Sequence, residues 1–130
     1  MTLDIYCDGA SRSNPGEASV GITIMEQDIE IDTISRKIGI ATNNVAEYQA
    51  LIDGLKYCND NKVQNVSFYL DSKLVVEQIS GNFKVKSEHL KVMYEEAKVL
   101  ISKIDNFTIN HIYRVNNKRA DELANQALDN

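Results

Sequence analysis

The spacing of apolar residues changes partway along the chain, and this change constrains the fold more than any other feature of the sequence. Before it, the segment LDIYCD alternates apolar and polar residues and ends at Gly9, as a half-buried strand does. Residues 18–25 and 29–38 then form a predicted hairpin that reverses near Gln27 and Asp28. Three consecutive strands without an intervening helix predict an antiparallel meander.

Helical spacing replaces strand alternation after this meander. Residues 43–58 carry apolar side chains at intervals of three and four, which predicts an amphipathic helix. The order βββαβααβα predicts an α/β fold in which helices flank a mixed five-stranded sheet. No linker or low-complexity stretch interrupts the chain, so we expect residues 1–130 to form a single domain. The later predicted elements are a strand (66–70), a short helix ended by Gly81 (72–79), a longer helix (87–104), a strand (107–115) and a final helix (117–128).

Composition narrows the class of protein. The chain is 43% apolar and 25% charged, as expected for a globular domain with its own core. Cys7 and Cys58 are predicted to be small buried hydrophobes in a reducing compartment, with a disulfide between them left open. The sequence shows neither an apolar run long enough to span a membrane nor a secretory signal pattern. We therefore expect a cytoplasmic protein with no membrane partner.

The net charge of −5 argues against a nucleic-acid partner, because affinity for a phosphate backbone normally comes from Lys and Arg. Bound divalent cations would offset part of this charge. The local distribution of charge also matters more than its sum. Composition alone still leans against nucleic acid.

Four acidic residues lie at the ends of otherwise unrelated elements: Asp8, Glu47, Asp71 and Asp121. Each has a structural alternative. Asp8 suits a turn, and Asp71 suits a helix N-cap. Glu47 would complete a capping box if Asn44 were the N-cap. Asp121 would interact favourably with the dipole at the start of the last helix, and Asn117 would be the N-cap of that helix.

Together the four acids favour a cation site. If the strands that precede Asp8 and Asp71 are neighbours, both carboxylates emerge at one edge of the sheet, where open α/β sheets place their ligands. Four carboxylates that meet there would repel one another unless a metal is present. A set of oxygen donors without His or Cys suits a magnesium-type cation and not zinc.

Four segments, in this order, resemble the motifs of type 1 ribonuclease H: YCDGASRSNPG, TNNVAEYQAL, LDSKLVVEQISG and NNKRADELAN. The resemblance covers nearly the whole chain and implies the ribonuclease H-like fold. It also implies an endoribonuclease that hydrolyses the RNA strand of RNA–DNA hybrids and leaves 5′-phosphate and 3′-hydroxyl products. In the family, two Mg²⁺ ions, for which Mn²⁺ substitutes, activate the attacking water and stabilise the departing 3′ oxygen. The residues that match the family's metal-binding catalytic acids are Asp8, Glu47, Asp71 and Asp121.

The resemblance further implies which residues contact the hybrid. Thr42 matches a residue that holds a DNA phosphate, and Asn43 and Asn44 match residues that reach base edges or sugars in the minor groove. An ordinary turn residue at position 14, a helix cap at position 44 and a solvated connection over 82–86 remain alternatives. The other expected substrate contacts are Ser11, Asn14, Ser72, Lys73, Phe83, Lys84 and Lys86.

Two features depart from many relatives. The connection between the last strand and the last helix is too short to contain the family's His-containing loop. The connection before the long helix is too short to contain the family's basic protrusion. We expect Arg114 to take the auxiliary role, because some short-loop, archaeal-like relatives carry an arginine there. His111 is the competing candidate, but strand alternation predicts a partly buried structural residue. His89 is expected at the surface, and the missing protrusion predicts weak hybrid affinity with a steep salt dependence.

Other functions stay open from the sequence. Short-loop relatives sometimes also cut double-stranded RNA, which is a second activity to test. A different nuclease on the same fold and a non-catalytic hybrid-binding module are the rivals. The complete motif set disfavours the first, and the intact acids disfavour the second. We expect the chain to be a monomer.

Overall fold

The computed structural model describes residues 1–130 and has the predicted order of elements, βββαβααβα. A short 3₁₀ turn, Arg114–Asn116, precedes the last helix. The strands are β1 (Thr2–Ser11), β2 (Gly16–Glu26), β3 (Ile29–Ala41), β4 (Asn65–Leu70) and β5 (Asn106–His111), and the helices are α1 (Asn43–Asp60), α2 (Lys73–Ile79), α3 (Glu88–Ile101) and α4 (Lys118–Asp129).

The five strands form one mixed sheet in the order β3-β2-β1-β4-β5. The first three strands are antiparallel neighbours, as the predicted meander requires. Their hairpin reverses at Gln27 and Asp28, whose positive φ angles of 50° and 65° are those of a type I′ turn. β4 lies parallel to β1, with Cys7 opposite Leu70. The residues that follow these two, Asp8 and Asp71, therefore lie at the same edge of the sheet.

The main core lies between the sheet and α1. Leu3, Ile5 and Cys7 alternate along β1 toward this helix and are fully buried. The helix packs against the sheet on one side and α3 on the other, so its buried surface is wider than the predicted stripe. Each fully buried aliphatic side chain contributes about 1.5–3 kcal/mol, so the core outweighs any surface ion pair. Cys7 and Cys58 are both buried and unbridged. None of the helices has the length and hydropathy needed to cross a membrane.

Two glycines let helices approach the middle of the sheet closely. A Cβ at Gly9 would lie 2.2 Å from the carbonyl carbon of Ala46 in α1. A Cβ at Gly21 would lie 2.1 Å from the carbonyl oxygen of Ala120 in α4. Gly21 pairs with Asp8 across the β1–β2 ladder, so α1 and α4 reach this ladder from opposite faces. The first turns of both helices thereby lie close to the end of β1.

The prediction of a strand over 107–115 was wrong at its C-terminal end. β4, the only partner of β5, ends at Leu70, and the last bond between them runs from the Ile112 N–H to the Leu70 carbonyl at 2.9 Å. Beyond it the chain turns into the 3₁₀ segment. Because β5 is an edge strand, His111 is exposed, and the prediction of a partly buried structural histidine was wrong.

Candidate active site

Three carboxylates meet where the pairing of β1 with β4 ends, at Cys7 and Leu70. The prediction that the first strand ends at Gly9 was wrong, because β1 continues to Ser11 through its pairing with β2. Oxygens of Asp8, Glu47 and Asp71 all lie within 4.8 Å of one another. Glu47 reaches the other two from the first turns of α1, and its Oε1 accepts a hydrogen bond from the backbone N–H of Gly9. The close approach of β1 to α1 at Gly9 is therefore the local cause of this cluster.

Asp121 lines the same cleft close to Asp8, but it is not one of the three acids whose oxygens all lie within 4.8 Å of one another. Its side chain is 32% exposed, and its Oδ1 lies 3.8 Å from Nη2 of Arg114. The side-chain amide of Asn125 donates to the same oxygen at 3.3 Å. The four predicted acids thus share one cleft, in which Asp8 and Glu47 are buried while Asp71 and Asp121 are partly exposed.

Burial and mutual repulsion favour the protonated forms of the deep carboxyl groups. Asp8 is 7% exposed and Glu47 is 3% exposed. Burial, followed by the charge of Asp71, raises the pKa of Asp8 from 3.8 to about 7. Burial also raises the pKa of Glu47 well above its usual range, and the charges of Asp8 and Asp71 act in the same direction. Oxygen-only donors that resist ionising together are suited to a hard divalent cation.

Two arginines stand at the rim of this cleft, which has a volume of about 320 Å³. Arg114 was predicted, and its side chain is 83% exposed. Arg12 was missed, and its Nη2 bonds Asp129 near the end of α4 at 2.6 Å. The only signal for Arg12 in the sequence is a basic residue four positions after Asp8. Asn125, one turn after Asp121 on α4, was also missed.

The helix caps differ from the structural alternatives considered for the acids. Thr42 is the N-cap of α1, and its hydroxyl accepts the N–H three residues later at 3.2 Å. Ser72 is the N-cap of α2, with the equivalent bond at 3.3 Å. Asn44 and Asp71 are therefore not caps. The carboxylate of Glu47 accepts its bond from β1 and forms no capping box.

Several of the expected substrate contacts gather in a second cleft, between the starts of α1 and α3. Asn14 is anchored there, because its Oδ1 accepts the backbone N–H of Asn43 at 3.0 Å. Asn43 itself lines the acidic cleft, so the two clefts adjoin. His89 is exposed, as predicted. The polar residues that line the second cleft are Asn14, Thr42, Asn44, Ser87 and His89.

The remaining predicted contacts lie around α2 and the connection after it. Phe83 is 44% exposed and lines a third cleft together with Lys84. The backbone carbonyl of Lys84 accepts a bond from the buried Gln78 at 3.2 Å, so this connection is held to α2. Lys73 and Lys86 are exposed. Ser11 donates to the Ala41 carbonyl at 2.8 Å, and Ser72 is the cap described above.

A mixed sheet in the order 3-2-1-4-5, with carboxylates directly after the paired parts of β1 and β4, defines the ribonuclease H-like class of nucleases. Residues 6–127 match the family described as reverse transcriptase-like. The chain belongs to this family. Its short connections make it similar to the short, archaeal-like type 1 ribonucleases H.

Individual relatives support the same assignment. The chain is 41% identical over 99% of its length to the bifunctional protein Rv2228c of Mycobacterium tuberculosis, and 41% identical over 95% of its length to ribonuclease HI of Halobacterium salinarum. It spans only 36% of the first protein and 63% of the second.

Solved structures of similar proteins share the fold. The N-terminal RNase H domain of Rv2228c matches with a TM-score of 0.94 and 40% identity, over 99% of this chain and 100% of that one. RNase H1 of Halobacterium salinarum matches with a TM-score of 0.96 and 38% identity, over 99% and 98%. LC11-RNase H1, solved in complex with an RNA/DNA hybrid, matches with a TM-score of 0.93 and 37% identity, over 98% and 97%.

Proposed function

We propose that this chain is a metal-dependent endoribonuclease that hydrolyses the RNA strand of RNA–DNA hybrids and leaves 5′-phosphate and 3′-hydroxyl ends. The observation that carries the proposal is the cluster of Asp8, Glu47 and Asp71 oxygens within 4.8 Å, at the sheet edge of a ribonuclease H-like fold. The hybrid complex of LC11-RNase H1, a relative with 37% identity, supports the substrate class. Cytoplasmic location, a monomeric state and cleavage of double-stranded RNA stay predictions.

The acidic cleft suits two Mg²⁺ ions, with Mn²⁺ as a substitute. Asp8, Glu47 and Asp71 would provide the shared inner ligands, and Asp121 would complete the set from the rim. When bound, the cations supply charge stabilisation at the phosphate and a lower pKa for the attacking water. The fit rests on the oxygen-only donors and on the raised pKa values of Asp8 and Glu47, which reflect burial first and the neighbouring negative charges second.

The protein's own groups hold this constellation in place and face the substrate. The Gly9 N–H fixes the carboxylate of Glu47. The guanidinium groups of Arg12 and Arg114 lie at the rim of the acidic cleft. There each would leave its carboxylate partner and bind a phosphate oxygen of the hybrid. We assign the auxiliary role to Arg114, because its side chain is mostly exposed and stands beside Asp121.

The second and third clefts would position the two strands. Thr42 would hold a DNA phosphate at the start of α1, while Asn14, Asn43 and Asn44 would lie along the minor groove. Contacts to 2′-hydroxyl groups there would distinguish RNA from DNA. The other expected contacts with the hybrid are Ser11, Ser72, Lys73, Phe83, Lys84 and Lys86.

The test is cleavage of a labelled RNA–DNA hybrid in Mg²⁺ by the wild-type chain and by Asp71→Asn. Removing one inner carboxylate should lower the cleavage rate by more than roughly 100-fold, the upper end of losses seen for outer-shell partners. Asp105→Asn, which changes an exposed acid between α3 and β5, should leave the rate unchanged. Full activity in Asp71→Asn would refute the mechanism. A labelled RNA duplex, run in parallel, tests the second activity.

A further inference from the structure

Asn117 does not behave like an ordinary residue at a helix start. It occupies the N-cap position of α4, yet its side chain makes no capping hydrogen bond. It is 1% exposed, and its Oδ1 is buried without a partner. Both features lower the stability of the fold, because helix starts favour a capping side chain and buried acceptors favour a donor.

The side-chain amide of Asn117 is instead directed to the acidic cleft. Its Nδ2 donates to the backbone carbonyl of Cys7 at 2.9 Å and to Oδ2 of Asp71 at 3.1 Å. Flipping the amide would place Oδ1 against a carbonyl and a carboxylate, which are both acceptors, so the orientation is determined by its surroundings. The unpaired Oδ1 is the consequence of this orientation.

Asn117 thereby connects three elements that carry the acids, two through its side-chain amide and the third through its backbone. The Cys7 carbonyl immediately precedes Asp8 on β1, and Asp71 follows β4. The backbone carbonyl of Asn117 accepts the N–H of Asp121 at 3.1 Å, at the start of α4. The relative placement of these acids therefore depends on a residue that is not itself a ligand candidate.

We propose that Asn117 is a positioning residue that sets the geometry of the cation site by holding Asp71 against the ends of β1 and α4. This inference rests on the proposed function, because it assumes that the acids bind divalent cations. It predicts that removing the amide weakens cation binding beyond any effect on folding. Partners that orient metal ligands typically change affinity by 10–100-fold when they are removed.

The chain supplies a matched control in Asn59. Its Nδ2 also donates to two acceptors, which here are the backbone carbonyls of Leu55 at 3.1 Å and Leu100 at 3.3 Å, and its Oδ1 is likewise buried and unpaired. It joins α1 to the end of α3 and makes no contact with a carboxylate. The same asparagine chemistry thus occurs once at the site and once in the scaffold.

The experiment measures Mn²⁺ binding by isothermal titration calorimetry, together with thermal unfolding in EDTA. Asn117→Ala should weaken Mn²⁺ binding by roughly 10–100-fold, while Asn59→Ala should lower the unfolding temperature and leave Mn²⁺ affinity within about two-fold. If Asn117→Ala does not fold, Asn117→Leu replaces it, because an apolar group of similar shape removes the unpaired oxygen as well as the donor. In either variant, kcat for the hybrid should fall more than KM rises.

Two results would overturn the inference alone: wild-type Mn²⁺ affinity in the Asn117 variant, or an equal loss of affinity in Asn59→Ala. A wild-type chain that binds no Mn²⁺ at all would overturn the proposed function, and this inference with it.

Discussion

At the scale of single residues, the chemistry of the site depends on how tightly its carboxyl groups hold their protons. Asp8 illustrates this, because burial and the neighbouring Asp71 raise its pKa to about 7. The same groups that would bind a cation are therefore a source of instability when they are ionised without one. Stability and function are coupled through the same residues.

This coupling predicts how stability changes with pH in EDTA. The pKa of Asp8 is 3.8 in its ordinary state and about 7 in the folded chain, so the folded state binds the proton more tightly. The stabilisation that the protonated Asp8 gives the folded state is fully present below pH ~4 and is lost as the pH rises to ~7. The free energy of unfolding should therefore fall across this window by an amount on the order of 3 kcal/mol.

Urea unfolding at several pH values, for the wild-type chain and for Asp8→Asn, checks this. The difference between the two profiles reports Asp8 together with its effect on Glu47, because the charge of Asp8 also raises the pKa of Glu47. In Asp8→Asn, the free energy of unfolding should decrease less with rising pH than it does in the wild-type chain. Identical profiles would show that Asp8 does not hold its proton as described.

A second prediction distinguishes the two candidates for the auxiliary role. Arg114 has Nη2 at 3.8 Å from Asp121, whereas His111 is exposed on β5 with its ring centroid 5.9 Å from that of Tyr113. Arg114→Ala should lower kcat roughly 10-fold, the size of one charged hydrogen bond. His111→Ala should leave kcat within about two-fold. Arg114→Lys keeps the charge and should recover part of the rate, whereas a loss confined to His111→Ala would reverse the assignment.

At the scale of elements, the site exists because α1 and α4 approach the β1–β2 ladder closely from opposite faces. Gly9 allows the first approach and Gly21 the second. Segments that are far apart in the chain thereby bring their acids to one edge. The sequence indicates which residues end each element, but these contacts decide how near the ends come.

Gly9→Ala tests the approach of α1. The added Cβ would meet the Ala46 backbone at 2.2 Å, and backbone cannot rotate away as a side chain can. We expect a loss of about 1–3 kcal/mol in the free energy of unfolding, as overpacking typically costs, together with weaker Mn²⁺ binding. Urea unfolding and calorimetry measure the two effects.

Gly54→Ala is the matched control for this change. Its added Cβ meets a ring carbon of Phe68 at 2.7 Å, the end of a side chain that can shift, at a point two turns after Glu47 on α1. It should reduce stability and leave Mn²⁺ affinity unchanged. If Gly9→Ala bound Mn²⁺ as tightly as the wild-type chain, the close approach would not be needed for the site.

At the scale of the whole molecule, charge is distributed unevenly relative to its net value of −5. Four of the 19 acids line the cleft, while exposed lysines such as Lys84 and Lys86 lie on the connection before α3. A hybrid would therefore be held by a few local contacts against an unfavourable overall field. This distribution would reconcile an acidic chain with the proposed nucleic-acid substrate.

The salt dependence of hybrid binding follows from this distribution. Each lysine that neutralises a phosphate adds about 0.9 to the slope of log affinity against log salt concentration. The double variant Lys84→Ala, Lys86→Ala should weaken binding and reduce the slope by about 1–2 units. Fluorescence anisotropy in Ca²⁺, between low and moderate salt, measures both.

Lys103→Ala is the control for the salt experiment. It lies beyond the far end of α3, a helix of 14 residues that spans about 21 Å. For Lys103→Ala, the slope of log affinity against log salt concentration should match that of the wild-type chain. An unchanged slope in the double variant would remove Lys84 and Lys86 from the binding surface.

The sequence by itself determined the order of elements, the meander, and the placement of acids at element ends. These features depend on local periodicity and on helix-breaking residues such as Gly81, which follows α2 and has a positive φ of 86°. Local signals of this kind are complete within a few residues, so they can be read along the chain.

Tertiary structure decided the rest. It ended β5 at His111, because its only partner ended there, and it made Thr42 and Ser72 the caps. It left Asp121 partly exposed beside Asp8 and turned the Asn117 amide away from its helix toward Asp71. Those outcomes depend on which strand ends and helix starts become neighbours. The physical reason is that a partner distant in the chain leaves no mark on local spacing.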